Sequence, residues 1–369
     1  MYNFITNLST TSKNPVQNLF PGYFAIVMAT GIISIAAYSL NMAPIAYLLL
    51  WLNIGFYSIL IVLLLSRILF YFSHVVKDIT DHQNSPGFLT LVAGSCILGT
   101  QMLVFYDNIY LAKIFLTFGV AGWVIIMYTF FTIITVKGDK PGIEKGINGA
   151  WLITIVATQS IAILCALVAP SISISREVYF FFSLFMYFAG CFLYIIINSL
   201  IFYRFSFFIF QPHELSAPYW INVGAAAITT LAGSTLMLSG KEWPFMADIL
   251  PFMKGFTLFF WSASSWWIPL FLILGFWRHF AKKIPLPFSS SGYHPSYWSM
   301  VFPLGMYTAC TFKLSQALGL SFLKSIPEYF IYIAFASWIM VFAGLLHSLA
   351  IAVYQATTEN HTNQLKQNI

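Results

Sequence analysis

The chain has 369 residues, of which 59% are hydrophobic and only 8% are charged. Soluble globular domains carry about 25% charged residues, so this composition excludes a soluble globular protein. The formal net charge of +6 does not indicate nucleic-acid binding, because the cations are spread over short loops on one side of a predicted membrane domain.

Ten hydrophobic segments follow one another along the chain, and most reach the length of about 20 residues that a membrane-spanning helix requires. They lie at 20–40, 44–70, 86–105, 110–136, 149–169, 177–203, 219–239, 251–277, 297–318 and 328–354. We therefore predict an all-α, polytopic membrane protein with one ten-helix transmembrane domain at 20–354. Residues 1–19 and 355–369, which are rich in Ser, Thr, Asn and Gln, are predicted to form the N-terminal and C-terminal tails.

The odd-numbered segments differ in composition from the even-numbered ones. Gly, Ala, Ser and Thr make up 43 of 105 residues in the odd segments but only 31 of 135 in the even segments. Small side chains allow close helix packing or leave open space, whereas large apolar side chains face lipid at little cost. The alternation predicts five helical hairpins, with odd helices lining a central path and even helices outside, as in a pore or carrier.

Lys and Arg residues are distributed unequally between the two sides of the predicted membrane domain. The side with both termini holds eleven of them: Lys13, Arg67, Lys77, Lys137, Lys140, Lys145, Arg204, Arg278, Lys282, Lys283 and Lys366. The other side holds five: Lys113, Arg176, Lys241, Lys254 and Lys324. By the positive-inside rule, we expect a multi-pass plasma-membrane protein (the inner membrane in a bacterium) with both termini in the cytoplasm.

No acidic residue lies at mid-depth in the predicted segments, because every Asp and Glu falls in a loop or at a segment end. Cation-coupled transporters commonly hold a buried carboxylate, so this pattern weighs against a cation pathway and leaves an anion pathway open. Lys313, in the second half of the ninth segment, is the clearest charged exception. It either attracts anions into the path or extends to the outer headgroups, and both alternatives remain open.

Amide side chains also lie within odd segments, among them Gln101, Gln159 and Asn222. An amide on an inner helix can line a wet passage, which makes these residues candidates for the substrate path. It can equally bond the backbone of a neighbouring helix, which is the commoner use of such residues in membranes.

Glycine and proline are concentrated where odd segments begin or bend. The first and third segments open with Pro-Gly pairs and then carry Gly31 and Gly94, two small residues that we assign to the path. In the ninth segment Pro303 directly follows Phe302, and a proline inside a helix frees a carbonyl and bends the axis. A large ring at such a bend would plug a path narrowed by small residues, so Phe302 and Pro303 form the predicted gate.

His74, Asp78 and His82 are spaced four residues apart, so a helix would align them like metal ligands. They fall in a connector with other charged residues, and a solvated loop explains them, so no metal site is predicted. The sequence contains no GxxxxGK[ST] nucleotide-binding motif. Transport would therefore be passive or coupled to an ion gradient, with no cofactor.

Three stretches resemble the tellurite-resistance/C4-dicarboxylate transporter family, which includes the plant slow anion channels and the fungal malate permease. They are NLFPGYFAIVMATGI at 18–32, DHQNSPGFLTLVAGSCILGTQ at 81–101 and HPSYWSMVFPLGMYTA at 294–309, which are similar to the first, third and ninth helices of that family. The resemblance runs in order through the whole ten-segment region.

The resemblance implies ten helices in five hairpins, a homotrimer with one path per subunit, and a ninth-helix phenylalanine that blocks the path, here Phe302. It also implies that a small residue after the PGYF motif faces the path. Channel-like members have Gly at that position, whereas this chain has Ala25.

The leading hypothesis is transport of small anions, such as malate, succinate or inorganic anions. Two other classes remain open: a membrane-embedded enzyme, which would require clustered His, Asp, Glu or Ser at one depth, and a membrane scaffold without transport. The seven His residues are scattered, which disfavours the enzyme. The small-residue bias of the odd segments disfavours the scaffold, although tight helix packing uses the same residues.

Overall fold

The computed structural model describes residues 14–172, 174–282 and 293–367, with side chains described as far as Tyr354. Lys13, Lys283 and most of the predicted N-terminal tail lie outside the described residues. The long helices in the described part are α1 (Ala25–Ser39), α2 (Ala43–Phe70), α3 (Leu89–Tyr106), α4 (Ile109–Val136), α5 (Ile153–Val168), α6 (Arg176–Phe207), α7 (Ile221–Ser239), α8 (Pro244–Phe276), α9 (Trp298–Leu318) and α10 (Ser325–Gln367). The predicted all-α, polytopic class is confirmed.

Nine helices in the described residues are long and apolar enough to span a membrane. The remaining long helix, α9, has 21 residues and a length of about 31 Å, so its composition rather than its length separates it from the others. It packs against α1, α7 and α10, and its residues from Trp298 to Thr311 are almost all buried. A helix enclosed by protein does not need a lipid-compatible surface, which explains its polar content.

The odd-numbered helices pack against one another in chain order, and α9 packs against α1, so that they form a closed inner ring. Each even-numbered helix packs against the odd-numbered helix that precedes it. Within the most apolar stretch of each span, 78 to 94% of the residues are buried in α1, α3, α5 and α7. The corresponding share is 22 to 50% in the even-numbered helices. Closed packing does not establish an open passage, so the central path stays a prediction.

A short 3₁₀ turn leads into each inner helix. These five entry turns are Pro21–Phe24, Ser85–Phe88, Gly149–Leu152, Ala217–Trp220 and Pro295–Tyr297. Each contacts the next, and the fifth contacts the first, so together they form an entry ring. Because all five precede an inner helix, the inner helices begin at the same end and run parallel.

Proline and asparagine explain why the entry turns form. Four turns carry Pro in their first two positions, where the missing amide hydrogen is not needed. The third turn is preceded instead by Asn148, whose side chain accepts a hydrogen bond from the Ala150 amide.

Helices α8 and α10 extend furthest beyond their predicted segments. Helix α8 begins at Pro244, and Pro251, at which the predicted segment started, lies inside it together with Pro269. Helix α10 continues beyond Tyr354 to Gln367, because the residues after Tyr354 include neither Gly nor Pro to end it.

Candidate functional site

The inner ring carries a single formal charge. Helices α1, α3, α5, α7 and α9 contain no Asp or Glu, and Lys313 is their only Lys or Arg. Lys313 is half-buried near the C-terminal end of α9 and makes no ion pair with any other described residue. Helix N-termini carry partial positive charge, so the entry ring at the opposite end also favours anions.

Phe302 lies at the contact between α9 and α7, and only 1% of its surface is exposed. A Cβ atom added to Gly224 would lie 3.1 Å from Cε1 of Phe302 and 3.0 Å from Cγ of Pro303. The absence of a side chain at Gly224 therefore makes room for both rings. This contact places the predicted gate residues against the inner ring, while their gating role stays a prediction.

Three of the predicted residues, Ala25, Asn222 and Phe302, lie at a similar level close to the entry ring, together with Gly224. Ala25 is the first residue of α1, Asn222 and Gly224 lie in the first turn of α7, and Phe302 is in the second turn of α9. Asn222 is fully buried; its Nδ2 donates to the Tyr219 carbonyl at 2.8 Å and its Oδ1 has no partner among the described residues. The structure therefore brings Ala25, Asn222 and Phe302 to one end of the inner ring.

Gln101 faces an outer helix. Its Oε1 accepts a hydrogen bond from Nδ2 of Asn53 in α2 at 2.7 Å, and both residues are fully buried. Gly31 makes room for this pair, because a Cβ atom there would lie 2.8 Å from Asn53 Nδ2. These contacts favour helix pairing over the path-lining role assigned to Gln101 and Gly31.

Gln159 and Gly94 also occupy helix contacts. Nε2 of Gln159 donates to the carbonyl of Tyr187 in the outer helix α6 at 3.0 Å. A Cβ atom on Gly94 would lie 3.3 Å from Cγ1 of Val27 in α1. Both residues therefore take part in packing between helices, and their path-lining role stays a prediction.

We expect the Asn53–Gln101 pair to stabilise the fold without affecting transport. Asn53→Leu and Gln101→Leu should each destabilise the protein. A double-mutant cycle should give a coupling of about 0.6 kcal/mol and at most about 1.7 kcal/mol, the average and the maximum for hydrogen bonds between membrane helices. Thermal unfolding in detergent measures the stability, and flux in proteoliposomes measures transport. If Gln101→Leu keeps normal stability but alters flux, Gln101 lines the path.

Hydroxyl groups of the inner helices bond aromatic side chains of the outer helices. The bonds are Tyr57–Ser95 at 2.9 Å, Trp123–Thr158 at 2.8 Å, Trp261–Thr311 at 3.0 Å and Trp338–Thr30 at 2.9 Å. Each bond joins the outer helix of one hairpin to the inner helix of the next, and the last joins α10 to α1. Four hydroxyl groups of the inner helices therefore connect neighbouring hairpins.

His74 and Asp78, two members of the possible metal set, bond neighbouring side chains instead. His74 lies 2.8 Å from Gln17 Nε2, and Asp78 pairs with Arg67 at 2.6 Å. Among the described residues there is no cluster of three or more His, Cys, Asp or Glu side chains that could hold a metal.

His82 lies three residues before the second entry turn and contacts the third entry turn through its backbone. Its carbonyl accepts a hydrogen bond from Trp151 Nε1 at 3.1 Å, and its side chain is buried. Burial is the largest effect and lowers the pKa of His82. The charge of Lys137 lowers this pKa further, and the charge of Asp81 raises it. The unfolded state therefore binds a proton at higher pH than the folded state does.

Because the pKa of His82 is lower in the folded state, stability should fall as the pH drops through about 6.5 and below. His82→Gln should flatten this dependence, and thermal unfolding of both proteins between pH 8 and 5 measures it. Parallel pH profiles for the two proteins would show that His82 does not contribute.

The chain matches the family model for voltage-dependent anion channels over residues 18–346. It is 25% identical over 335 residues to an uncharacterized transporter of Methanocaldococcus jannaschii, which covers 88% of this chain and 93% of the relative. A second uncharacterized transporter of that organism is also 25% identical, over 88% of this chain and 91% of its own length. An uncharacterized membrane protein of Mycobacterium tuberculosis is 32% identical over 170 residues, 46% of this chain and 83% of the relative.

The family match spans all ten long helices apart from the final part of α10, and it includes the entry turns, Phe302 and Lys313. It agrees with a closed helical ring that lacks acidic residues and begins at five parallel helix N-termini. These findings point to a membrane transporter rather than an enzyme. The chain belongs to the voltage-dependent anion channel family.

Proposed function

We propose that the protein carries small anions across the membrane through a path along the axis of the inner ring, either passively or coupled to an ion gradient. The observation that carries this proposal is the charge of the inner ring: five parallel helices without a carboxylate, and one cation, Lys313. A path bounded by neutral groups and helix N-termini does not repel anions as buried carboxylates would.

Phe302 is the proposed gate of this path. Its ring is large, buried and packed against Gly224 in α7, and Pro303 follows it directly. On the other flank of α9, a Cβ atom on Gly305 would lie 2.5 Å from Cγ1 of Ile33 in α1. Helix α9 is therefore thin towards α1, whereas towards α7 it presents the rings of Phe302 and Pro303, for which Gly224 makes room.

The proposed substrates are C4-dicarboxylates such as malate and succinate, or inorganic anions such as chloride and nitrate. The resemblance to the tellurite-resistance/C4-dicarboxylate family supports the first group, and the anion-channel family match supports anions in general. Tellurite resistance would then follow from anion movement.

The proposed assembly is a homotrimer in the plasma membrane, or in the inner membrane of a bacterium, with each subunit holding its own path. Both termini are proposed to face the cytoplasm, because eleven cations lie on that side against five on the other. The entry ring would then face the cytoplasm, and Lys313 would lie towards the outside.

Flux into proteoliposomes tests the proposal. Purified protein should accelerate the movement of at least one of chloride, nitrate, malate and succinate over protein-free liposomes, without accelerating sodium or potassium. Absence of flux for all four anions, with folded protein in the bilayer, would favour the scaffold or enzyme alternatives.

A further inference from the structure

Cations at the ends of the outer helices hold the entry ring from outside. Arg67 donates to the Gln17 carbonyl at 3.2 Å and Lys137 to the Thr80 carbonyl at 3.4 Å. Arg204 donates to the Ile147 carbonyl at 3.4 Å and Arg278 to the Leu215 carbonyl at 2.6 Å. The carbonyls lie two to five residues before an entry turn, and each cation lies in, or directly after, the outer helix of the same hairpin.

Two of these cations are buried more deeply than membrane orientation requires. Arg67 is 3% exposed and Arg204 is 6% exposed, and each is paired with a carboxylate, Asp78 and Glu214 respectively. Cations that only set orientation by the positive-inside rule can remain among headgroups and water. Each of these guanidinium groups donates both to a carboxylate and to a backbone carbonyl, so it connects the outer helix to the segment before an entry turn.

The entry ring is closed by backbone contacts at two of its seams. A Cβ atom on Gly149 would lie 2.2 Å from the Pro218 carbonyl oxygen, and one on Gly87 would lie 2.9 Å from the Gly22 amide nitrogen. Both contacts are against backbone, which cannot move aside as a flexible side chain can. The turns are therefore as close together at these seams as glycine permits.

We infer that the entry ring is a second constriction in series with Phe302, and that the four clamp cations, Arg67, Lys137, Arg204 and Arg278, set its width. This inference rests on the proposed anion path. The clamps act as positioning residues: each holds an entry turn through a carbonyl and need not touch the anion. Loosening one clamp should therefore change which sizes of anion pass.

Arg278 is the best clamp to test. It lies in a π-helical turn, Trp277–Ala281, directly after α8. It makes no ion pair with any other described residue, so its removal leaves no buried carboxylate without a partner. Arg278→Gln shortens the side chain and removes its charge, whereas Arg278→Lys keeps the charge and a donor. Lys77→Gln, at an exposed position on the same side, controls for the loss of one positive charge.

All variants are compared in the Phe302→Ala background, so that the gate does not mask the entry ring. The first readout is hydrogen exchange of the backbone amides in the fourth entry turn, which is independent of transport. The second is the flux of gluconate relative to nitrate in proteoliposomes. A charged hydrogen bond is worth about one power of ten in an equilibrium constant, so we expect Arg278→Gln to raise exchange and to raise the flux ratio by up to about tenfold.

Arg278→Lys should restore most of both values, and Lys77→Gln should change neither. Faster exchange with an unchanged flux ratio would show that the clamp is structural and would overturn the inference alone. If Lys77→Gln raises the flux ratio equally, the effect comes from the loss of any positive charge on this side, and the inference is overturned. If Phe302→Ala and all its derivatives pass no anion, both the proposed function and this inference fail.

Discussion

Phe302→Ala should increase anion flux while the protein keeps its fold and oligomeric state. The substitution removes most of a ring that is 1% exposed and lies against Gly224 in α7. In an ordinary packed core, Phe→Ala costs about 3–5 kcal/mol. If one face of the ring borders the path, the cost should be smaller, because fewer neighbouring atoms lose contacts.

Phe260→Ala is the matched control, because Phe260 is fully buried in α8 and packs against Tyr194, Phe256 and Phe259. That variant should lose the full packing energy and gain no flux. Thermal unfolding in detergent and flux in proteoliposomes measure the two effects for both variants. If Phe302→Ala is destabilised as much as Phe260→Ala and its flux stays at the wild-type level, Phe302 is an ordinary packing residue.

The all-α, polytopic class could be predicted because it depends on composition summed over long windows. About twenty apolar residues in succession identify a membrane helix whatever its neighbours are. Among the ten long helices, α9 alone is not apolar enough to be identified in this way, and it shows the limit of the signal. A helix surrounded by other helices can carry Ser, Thr, Tyr and Lys. Its mean hydropathy therefore depends on whether protein or lipid surrounds it, and not only on whether it crosses the membrane.

The direction in which a polar side chain points could not be predicted in the same way. The inner helices are apolar around most of their circumference, so no pattern of polar and apolar residues marks one face. The sequence therefore places Gln101 and Gln159 on inner helices but does not show that their amides bond Asn53 and the backbone of the outer helix α6. Only the contacts distinguish an amide that lines a passage from one that pairs helices.

The entry ring was missed for a different reason. Its sequence signal is short: a Pro or Asn, then an aromatic residue two or three positions later, five times over, as in Pro21-Gly22-Tyr23 and Pro295-Ser296-Tyr297. The Pro-Gly pairs of the first and third segments were recognised singly, but three of the turns lack that pair. Recurrence across the five hairpins could have identified the ring before the structure did.

Lys313→Glu should lower anion flux by about tenfold at low ionic strength, and Lys313→Gln should lower it less. Two unit charges about 4 Å apart interact by about 4 kcal/mol at an effective dielectric constant of about 20. Even a third of that energy changes the local anion concentration about tenfold. Lys313 is the only charge on the inner ring and makes no ion pair with another described residue, so no nearby carboxylate offsets it.

Lys254→Glu is the matched control, because Lys254 is exposed on the outer helix α8 and undergoes the same charge reversal. It should leave flux nearly unchanged. The effect of Lys313→Glu should also shrink as salt rises, since the Debye length falls to about 3 Å at 1 M. Flux of the preferred anion at about 0.02 M and 1 M salt, for wild type and the three variants, measures both effects. Equal flux for wild type, Gln and Glu at position 313 would mean that this ammonium extends to the headgroups and takes no part in attracting anions.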